Sequence, residues 1–292
     1  MKQGRPKKTL SESPEKSGNY SFLCRPDRDR SCFRCCPPIR PAGYDHAAHE
    51  ARLRRLLREN TKALARQGPR AEVIDGSSCW GLGFLDYSET LVGCLLHPAR
   101  NQGRDFRDLT GYGDKCRREL CREAVVFAEL PPSHTAFVLD LSQGLDSFGY
   151  SSPKKNPVFR LLMWGPKVIE HLTAIEPRGL SREEYRKKWA VLDNELDPER
   201  DGFPVETLLD RLGLADLARP DFLGRYHKAM HEFIAGHKAV MTPPLDNRPY
   251  VHQLGQPASL ARFLRLALGW FRAAPSQAEA LRRKLEAKLA RL

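Results

Sequence analysis

The sequence predicts a mainly α protein: an irregular, cysteine-rich, metal-binding N-terminal domain with short strands at most, followed by a multi-helix C-terminal domain. Three observations carry that expectation. All eight cysteines fall between Cys24 and Cys121, and none occurs among residues 122 to 292. Between positions 70 and 99 the apolar residues come in short runs separated by glycines, which is the period of strands rather than helices. Beyond position 130 apolar residues recur at helical spacing, with prolines punctuating the segments.

These features set the expected boundaries. Residues 1–18 read as a basic disordered tail, residues 19–130 as the cysteine-rich domain with an inserted helix over 47–67, and residues 131–292 as the helical domain. A chain of 292 residues with 41% hydrophobic and 29% charged residues is long and apolar enough to bury a core. The first 16 residues contain Lys and Arg but no apolar h-region. No apolar run reaches the ~18 residues that a membrane span requires. The expectation is a soluble, cytoplasmic protein with no membrane span. In a reducing compartment, closely spaced cysteines favour metal ligation over disulfides.

The net charge of +12 permits an anionic partner but does not require one. Within the tail, Gly4-Arg5-Pro6-Lys7-Lys8 is similar to the core of an AT-hook, in which arginine beside glycine and proline enters a narrow minor groove. It lacks the basic residue that usually precedes the glycine, where Gln3 stands, and a plain solubilising tail is the preferred reading.

After the first four cysteines, Leu53, Leu56, Leu57 and Leu64 fall at helical spacing, and Gly68-Pro69 ends that helix. Short strands are expected around Phe84-Leu85 and Leu91 to Leu96. A helix is expected over 115–130, stopped by Pro131-Pro132. Further helices are expected over 134–147, 156–175, 181–196, 204–218, 220–240, 257–273 and 276–292. Ser181 and Glu184 form a capping box in prospect. Leu281, Leu285, Leu289 and Leu292 make a stripe that reads as core or as a dimer contact.

The residue types and spacings in the N-terminal half point to metal. Cys32-x2-Cys35 is the short chelate turn of zinc and iron–sulfur sites. Cys36 adjoins it, and adjacent residues point apart, so Cys36 serves a second metal, bridges, or stays passive. Cys94-x2-His97 is a second chelate pair. Cys116-x4-Cys121, read as lying on one helix, would bring both sulfurs to one side only with distortion. Cys24 and Cys79 are single ligands delivered by folding. The eight thiols and the His97 imidazole suffice for two tetrahedral zinc sites, or for one iron–sulfur cluster with thiols to spare. The spacing matches neither the paired knuckles of a zinc ribbon nor the repeated run of bacterial ferredoxins.

Other groups carry less. Cys35 and Cys121, among Arg and Lys neighbours, are candidates for low-pKa thiols. His46-x2-His49 reads as a solvent-exposed N-terminal turn, and His227-x3-His231 as surface or core histidines, since the order differs from His-Glu-x-x-His. No P-loop, no GxGxxG after a strand and no GxSxG is present.

The segments Cys32-Phe33-Arg34-Cys35-Cys36, Cys79-Trp80-Gly81-Leu82-Gly83-Phe84-Leu85-Asp86 and Gly93-Cys94-Leu95-Leu96-His97-Pro98, with Cys116 beyond, resemble the cysteine-cluster family of zinc- or iron-chelating proteins. The resemblance covers residues 24 to 125 and implies Cys32, Cys35, Cys36, Cys79, Cys94 and Cys116 as ligands. This chain departs from the family in the long, helical stretch from Cys36 to Cys79, in the lack of an Arg-Pro element before Cys116, and in the additional Cys24 and Cys121. The resemblance implies a metal site but no reaction.

Three functions follow as expectations. One is a metal-binding protein holding zinc or iron, including an iron–sulfur cluster. The second is an iron–sulfur or thiol redox enzyme. The third is a nucleic-acid-binding adaptor with a structural metal. A protein partner for the helical domain fits each of them.

Overall fold

The computed structural model describes residues 22–41, 43–72, 74, 76, 78–238 and 247–292. The basic tail with its Gly4 to Lys8 run, and the last two residues of the helix expected over 220–240, lie outside them. The described residues are mainly helical, with a small two-stranded sheet.

The first helix, α1, runs Glu50–Gln67 after a 3-10 turn at His46–His49. Leu53 and Leu57 of its apolar stripe are buried. It ends at Gly68, whose φ of 70° favours glycine and whose N–H bonds the Leu64 carbonyl. The sheet pairs β1, Leu82–Phe84, with β2, Val92–Cys94, in an antiparallel hairpin. Helix α1 lies on β1 and supplies its missing polar partners. The Asn60 amide donates to the Cys79 and Leu82 carbonyls at 3.2 and 2.9 Å, and Thr61 Oγ1 accepts the Phe84 N–H at 2.9 Å. The contact needs glycine at position 83, where a Cβ would stand 2.4 Å from Leu95 Cδ1 and 2.5 Å from Thr61 Oγ1. Around the hairpin a small core gathers Phe33, Leu53, Leu57, Cys79, Leu82, Phe84, Val92 and Phe148.

The helical part follows as α2 (Gly113–Arg118), α3 (Arg122–Glu129), α4 (Pro132–Asp140), α5 (Ser147–Ser151), α6 (Val158–Trp164), α7 (Pro166–Ile175), α8 (Arg182–Lys188), α9 (Gly202–Leu209), α10 (Leu214–Leu217), α11 (Pro220–His237), α12 (Ala258–Arg262) and α13 (Pro275–Leu289). The helices are shorter than the apolar period alone suggests. The segment expected over 156–175 breaks at Gly165, with φ of 92°, and Pro166 restarts it at the first helical position, where a missing N–H costs nothing. Pro132 likewise opens α4 rather than stopping α3. The stretches expected over 181–196 and 257–273 pass into π turns at Val191–Glu195 and Phe263–Ala267. The Ser181–Glu184 capping box forms as expected. A large core holds the fully buried Tyr150, Phe159, Trp164, Tyr185, Tyr226 and Phe263. Leu281, Leu285 and Leu289 of α13 are buried in it, so that stripe is core. Among the described residues no helix is long and apolar enough to cross a membrane.

Helix α5 is the seam between the cysteine-bearing segment and the helices. Its short sequence, Ser-Phe-Gly-Tyr-Ser, with Ser152 following, turns nearly every hydroxyl toward the N-terminal residues. Ser147 Oγ accepts the Val92 N–H at 3.0 Å and lies 2.6 Å from Ser31 Oγ. Tyr150 donates to the Leu23 carbonyl at 2.9 Å, Ser151 Oγ accepts the Phe33 N–H at 3.0 Å, and Ser152 donates to Asp45 Oδ2 at 2.8 Å. Arg30 adds a second seam, donating to the Leu139 carbonyl and Ser142 Oγ at 2.6 and 2.7 Å. Buried polar groups of both parts are thus satisfied by each other.

Candidate metal centre

The first thiols are placed by backbone pairing. The Cys32 N–H donates to the Cys24 carbonyl at 2.8 Å, which sets two cysteines eight residues apart side by side. The chain then turns sharply. The Arg34 N–H points at Cys32 Sγ at 3.5 Å, and the Cys36 N–H bonds the Phe33 carbonyl at 3.1 Å. An amide two residues on, aimed at the sulfur, stabilises a thiolate at that position. Phe33 is buried in the small core, and this fixes which way its neighbours face.

The hairpin delivers two more thiols. The Cys79 N–H donates to the Pro37 carbonyl at 3.1 Å, joining the hairpin to the first turn. Cys94 ends β2 opposite Leu82. Each opens a tight turn: the Leu82 N–H donates to the Cys79 carbonyl at 3.0 Å, and the His97 N–H donates to the Cys94 carbonyl at 3.3 Å.

Cys116 and Cys121 do not share a helix. Cys116 lies in α2, which ends at Arg118, while Cys121 has extended backbone and caps the start of α3. The break at Glu119 and Leu120 lets the two sulfurs leave in different directions. Cys121, with Cys32, packs against the large core, whereas Cys36 and Cys79 belong with the small one.

All eight thiols are free. Burial is the leading cause wherever a thiol is shifted, and neighbouring thiols reinforce it. It pushes Cys121 up to about 12, further raised by Glu123, Cys35 and Cys24 and opposed by the Ala124 amide. The thiol at Cys121 is therefore the reverse of the low-pKa group that its Arg and Lys neighbours suggest. Cys79 is pushed up to about 12 by burial, with Cys94 and Cys116 adding to it. Cys32 rises through burial and then through Cys35, Cys24 and Cys121. Cys36 rises through burial and then through Cys35, Cys32, Cys94 and Cys79. Cys94 and Cys116 are raised by burial, while the Arg107 guanidinium pulls both back. Arg107 is held by Asp105 at 2.7 Å and donates to the Cys116 carbonyl at 3.0 Å.

A cleft of 370 Å³ opens beside Cys24, Cys32, Cys35, Cys36 and Cys121. Arg34, Arg40 and Lys115 contribute cations to its wall. Arg34 is paired with Glu123 at 3.2 Å, and Lys115 donates to the Cys35 carbonyl at 3.2 Å. His97 Nδ1 accepts the Ala99 N–H at 3.2 Å. His46 is buried rather than exposed, tilted against Phe33 and edge-on to Tyr44, and burial lowers its pKa to about 4. His227 and His231 lie on the exposed face of α11, as expected. Among the described residues no group of three or more His, Cys, Asp or Glu is arranged so that it could hold a metal ion as it stands.

No family model, curated protein or solved structure matches this chain.

The residues that the sequence did not single out are the positioning ones: Arg107, Ser31, Ser147 and Asn60. Their isolated serines, asparagine and arginine carry no spacing signal. Only the fold places them beside the thiol-bearing segments.

Proposed function

We propose that this chain is a metal-binding protein whose thiols between Cys24 and Cys121 hold zinc or iron, the iron in the form of an iron–sulfur cluster. One observation carries the reading. Backbone pairing gathers thiols from distant parts of the chain: the Cys32 N–H donates to the Cys24 carbonyl, and the Cys79 N–H donates to the Pro37 carbonyl next to Cys36. Several thiols brought together in this way are the donor set that a soft cation requires.

The donor chemistry fits. Soft thiolates select zinc, iron–sulfur clusters and copper(I) over hard cations. Buried neutral thiols with raised pKa values ionise when a bound cation replaces the proton, so metal binding releases protons and is favoured at higher pH. Arg107 and Lys115 are placed to offset the negative charge that several thiolates accumulate around one ion. In this reading residues 19–130 form the metal-binding part and residues 131–292 the helical body against which α5 fastens it. The resemblance of residues 24 to 125 to the cysteine-cluster family supports the same assignment.

Anaerobic purification of the full chain, elemental analysis and a visible spectrum test the proposal. Stoichiometric zinc with no colour, or iron with sulfur-to-iron charge-transfer bands, is the expected result. A chain that carries neither metal and takes up neither on reconstitution under reducing conditions would overturn it.

A further inference from the structure

The eight thiols are not equivalent in how the fold presents them. Cys24 and Cys35 are exposed, and with Cys32, Cys36 and Cys121 they border the 370 Å³ cleft. Cys32, Cys36, Cys94, Cys116 and Cys121 are half-buried, and Cys79 retains only 5% of its surface. The two cores draw the division. Cys32 and Cys121 pack on the large core, and Cys36 and Cys79 on the small one. Backbone pairing again agrees: Cys24 is tied to Cys32, while the Cys36-Pro37 step is tied to Cys79, whose hairpin carries Cys94. The two groups meet at the Cys35–Cys36 bond, where adjacent residues point apart.

We propose that the thiols form two separate four-cysteine centres: a protected one from Cys36, Cys79, Cys94 and Cys116, and an accessible one from Cys24, Cys32, Cys35 and Cys121 that opens on the cleft and exchanges its metal with solvent. This rests on the metal-binding reading above and goes beyond it in number, ligand pairing and role. A closed four-thiolate site is the structural type, and here it would lock the hairpin to the first turn and to α2. The accessible centre faces Arg34 and Lys115 across a cleft large enough to admit a small anionic chelator. The splitting of adjacent cysteines between two centres explains why Cys36 follows Cys35 directly, a spacing that a single tetrahedral ion does not need.

The test uses the wild-type full chain as purified with its metal. It is exposed to a small anionic chelator, and unprotected thiols are trapped by pulse alkylation and located by mass spectrometry. The expected result is two phases. About half of the bound metal leaves first, with Cys24, Cys32, Cys35 and Cys121 becoming modified together, and the remaining four thiols stay protected until the second phase. Cys35→Ser and Cys94→Ser give the complementary result: each loses half of the metal, the first the fast half and the second the slow half. One metal centre per chain would overturn the proposal while leaving the metal-binding reading intact. So would a single release phase, or modification of Cys36 in the fast set. Absence of any metal would overturn both. The alkylation pattern of the wild-type chain decides the matter even where Cys94→Ser fails to fold.

Discussion

Replacing Ser147 with alanine removes one hydroxyl and strands a buried amide. Ser31 Oγ donates to the Val92 carbonyl at 2.5 Å, so Ser147, 2.6 Å from Ser31 Oγ, gives its own proton to Ser31 and accepts the Val92 N–H at 3.0 Å. The ring of three residues closes with every donor and acceptor used. Val92 and Ser147 have no exposed surface and Ser31 has 3%, so no water reaches the amide that the substitution leaves behind. An unsatisfied buried donor costs about 1–3 kcal/mol, and the Ser31 oxygen loses its donor as well, so Ser147→Ala should destabilise the protein by about 2–3 kcal/mol. For a chain of this size that corresponds to a fall in Tm of roughly 4–10 °C. Urea unfolding and a thermal melt measure it. Ser88→Ala is the control: its hydroxyl bonds Asp86 on the exposed hairpin tip, and its loss should stay within about 0.5 kcal/mol. The double variant Ser31→Ala with Ser147→Ala should cost less than the sum of the two single ones, because both act on the same ring. A Ser147→Ala loss no larger than that of Ser88→Ala would refute the claim that α5 holds the hairpin through this network.

Four further outcomes are expected. His46 has its folded pKa lowered from 6.5 to about 4 by burial, so the unfolded chain binds the extra proton first. Stability should therefore fall as pH drops from 6.5 toward 4 and level off below that, by up to about 3 kcal/mol, and His46→Leu should flatten that part of the urea midpoint-against-pH curve. At Asp86, the upward push of burial is outweighed by hydrogen bonds from Ser88, Thr90 and the Leu91 amide, giving about 2; its contribution is present above 3.8 and lost as pH falls through 2, and a side-chain carboxyl titration near 4 by NMR would contradict the hairpin-tip geometry. Gly113→Ala places a Cβ 2.8 Å from Asp108 Cα, a backbone atom with little room to yield, so α2 must shift. It should cost about 1–3 kcal/mol in urea unfolding. Gly224→Ala, within α11 and with nothing near its Cβ, should instead stabilise by about 0.5–1 kcal/mol, seen as a higher urea midpoint.

Particular residues show where the sequence is legible. Helix α1 is read from four leucines and its terminal Gly68, and the Ser181–Glu184 box from its two polar residues, because both signals are local. The interval from Lys115 to Leu130 is misread as one helix. Nothing between Cys116 and Cys121 is a helix breaker, yet Cys121 is extended and opens α3, whose Phe127 is buried in the large core. His46 is misread for a related reason: a polar residue at a helix start is usually wet, and here Phe33 and Tyr44 close over it.

What the sequence by itself determined is the helical character of the chain, the short strands around the hairpin, the apolar stripe of α13 and the confinement of every thiol to residues 24–121. Those depend on periodicity, on glycine and proline, and on counting. Only the tertiary structure decided which cysteines stand together. Cys24 meets Cys32 through a backbone hydrogen bond, Cys79 meets the first turn through Pro37, and Cys32 and Cys36 pack against different cores. The physical reason is that spacing along the chain constrains only neighbours within a turn. The approach of distant thiols is set instead by where Phe33, Leu57 and Val92 can be buried, and by the need of α5's hydroxyls and the hairpin's amides to satisfy one another.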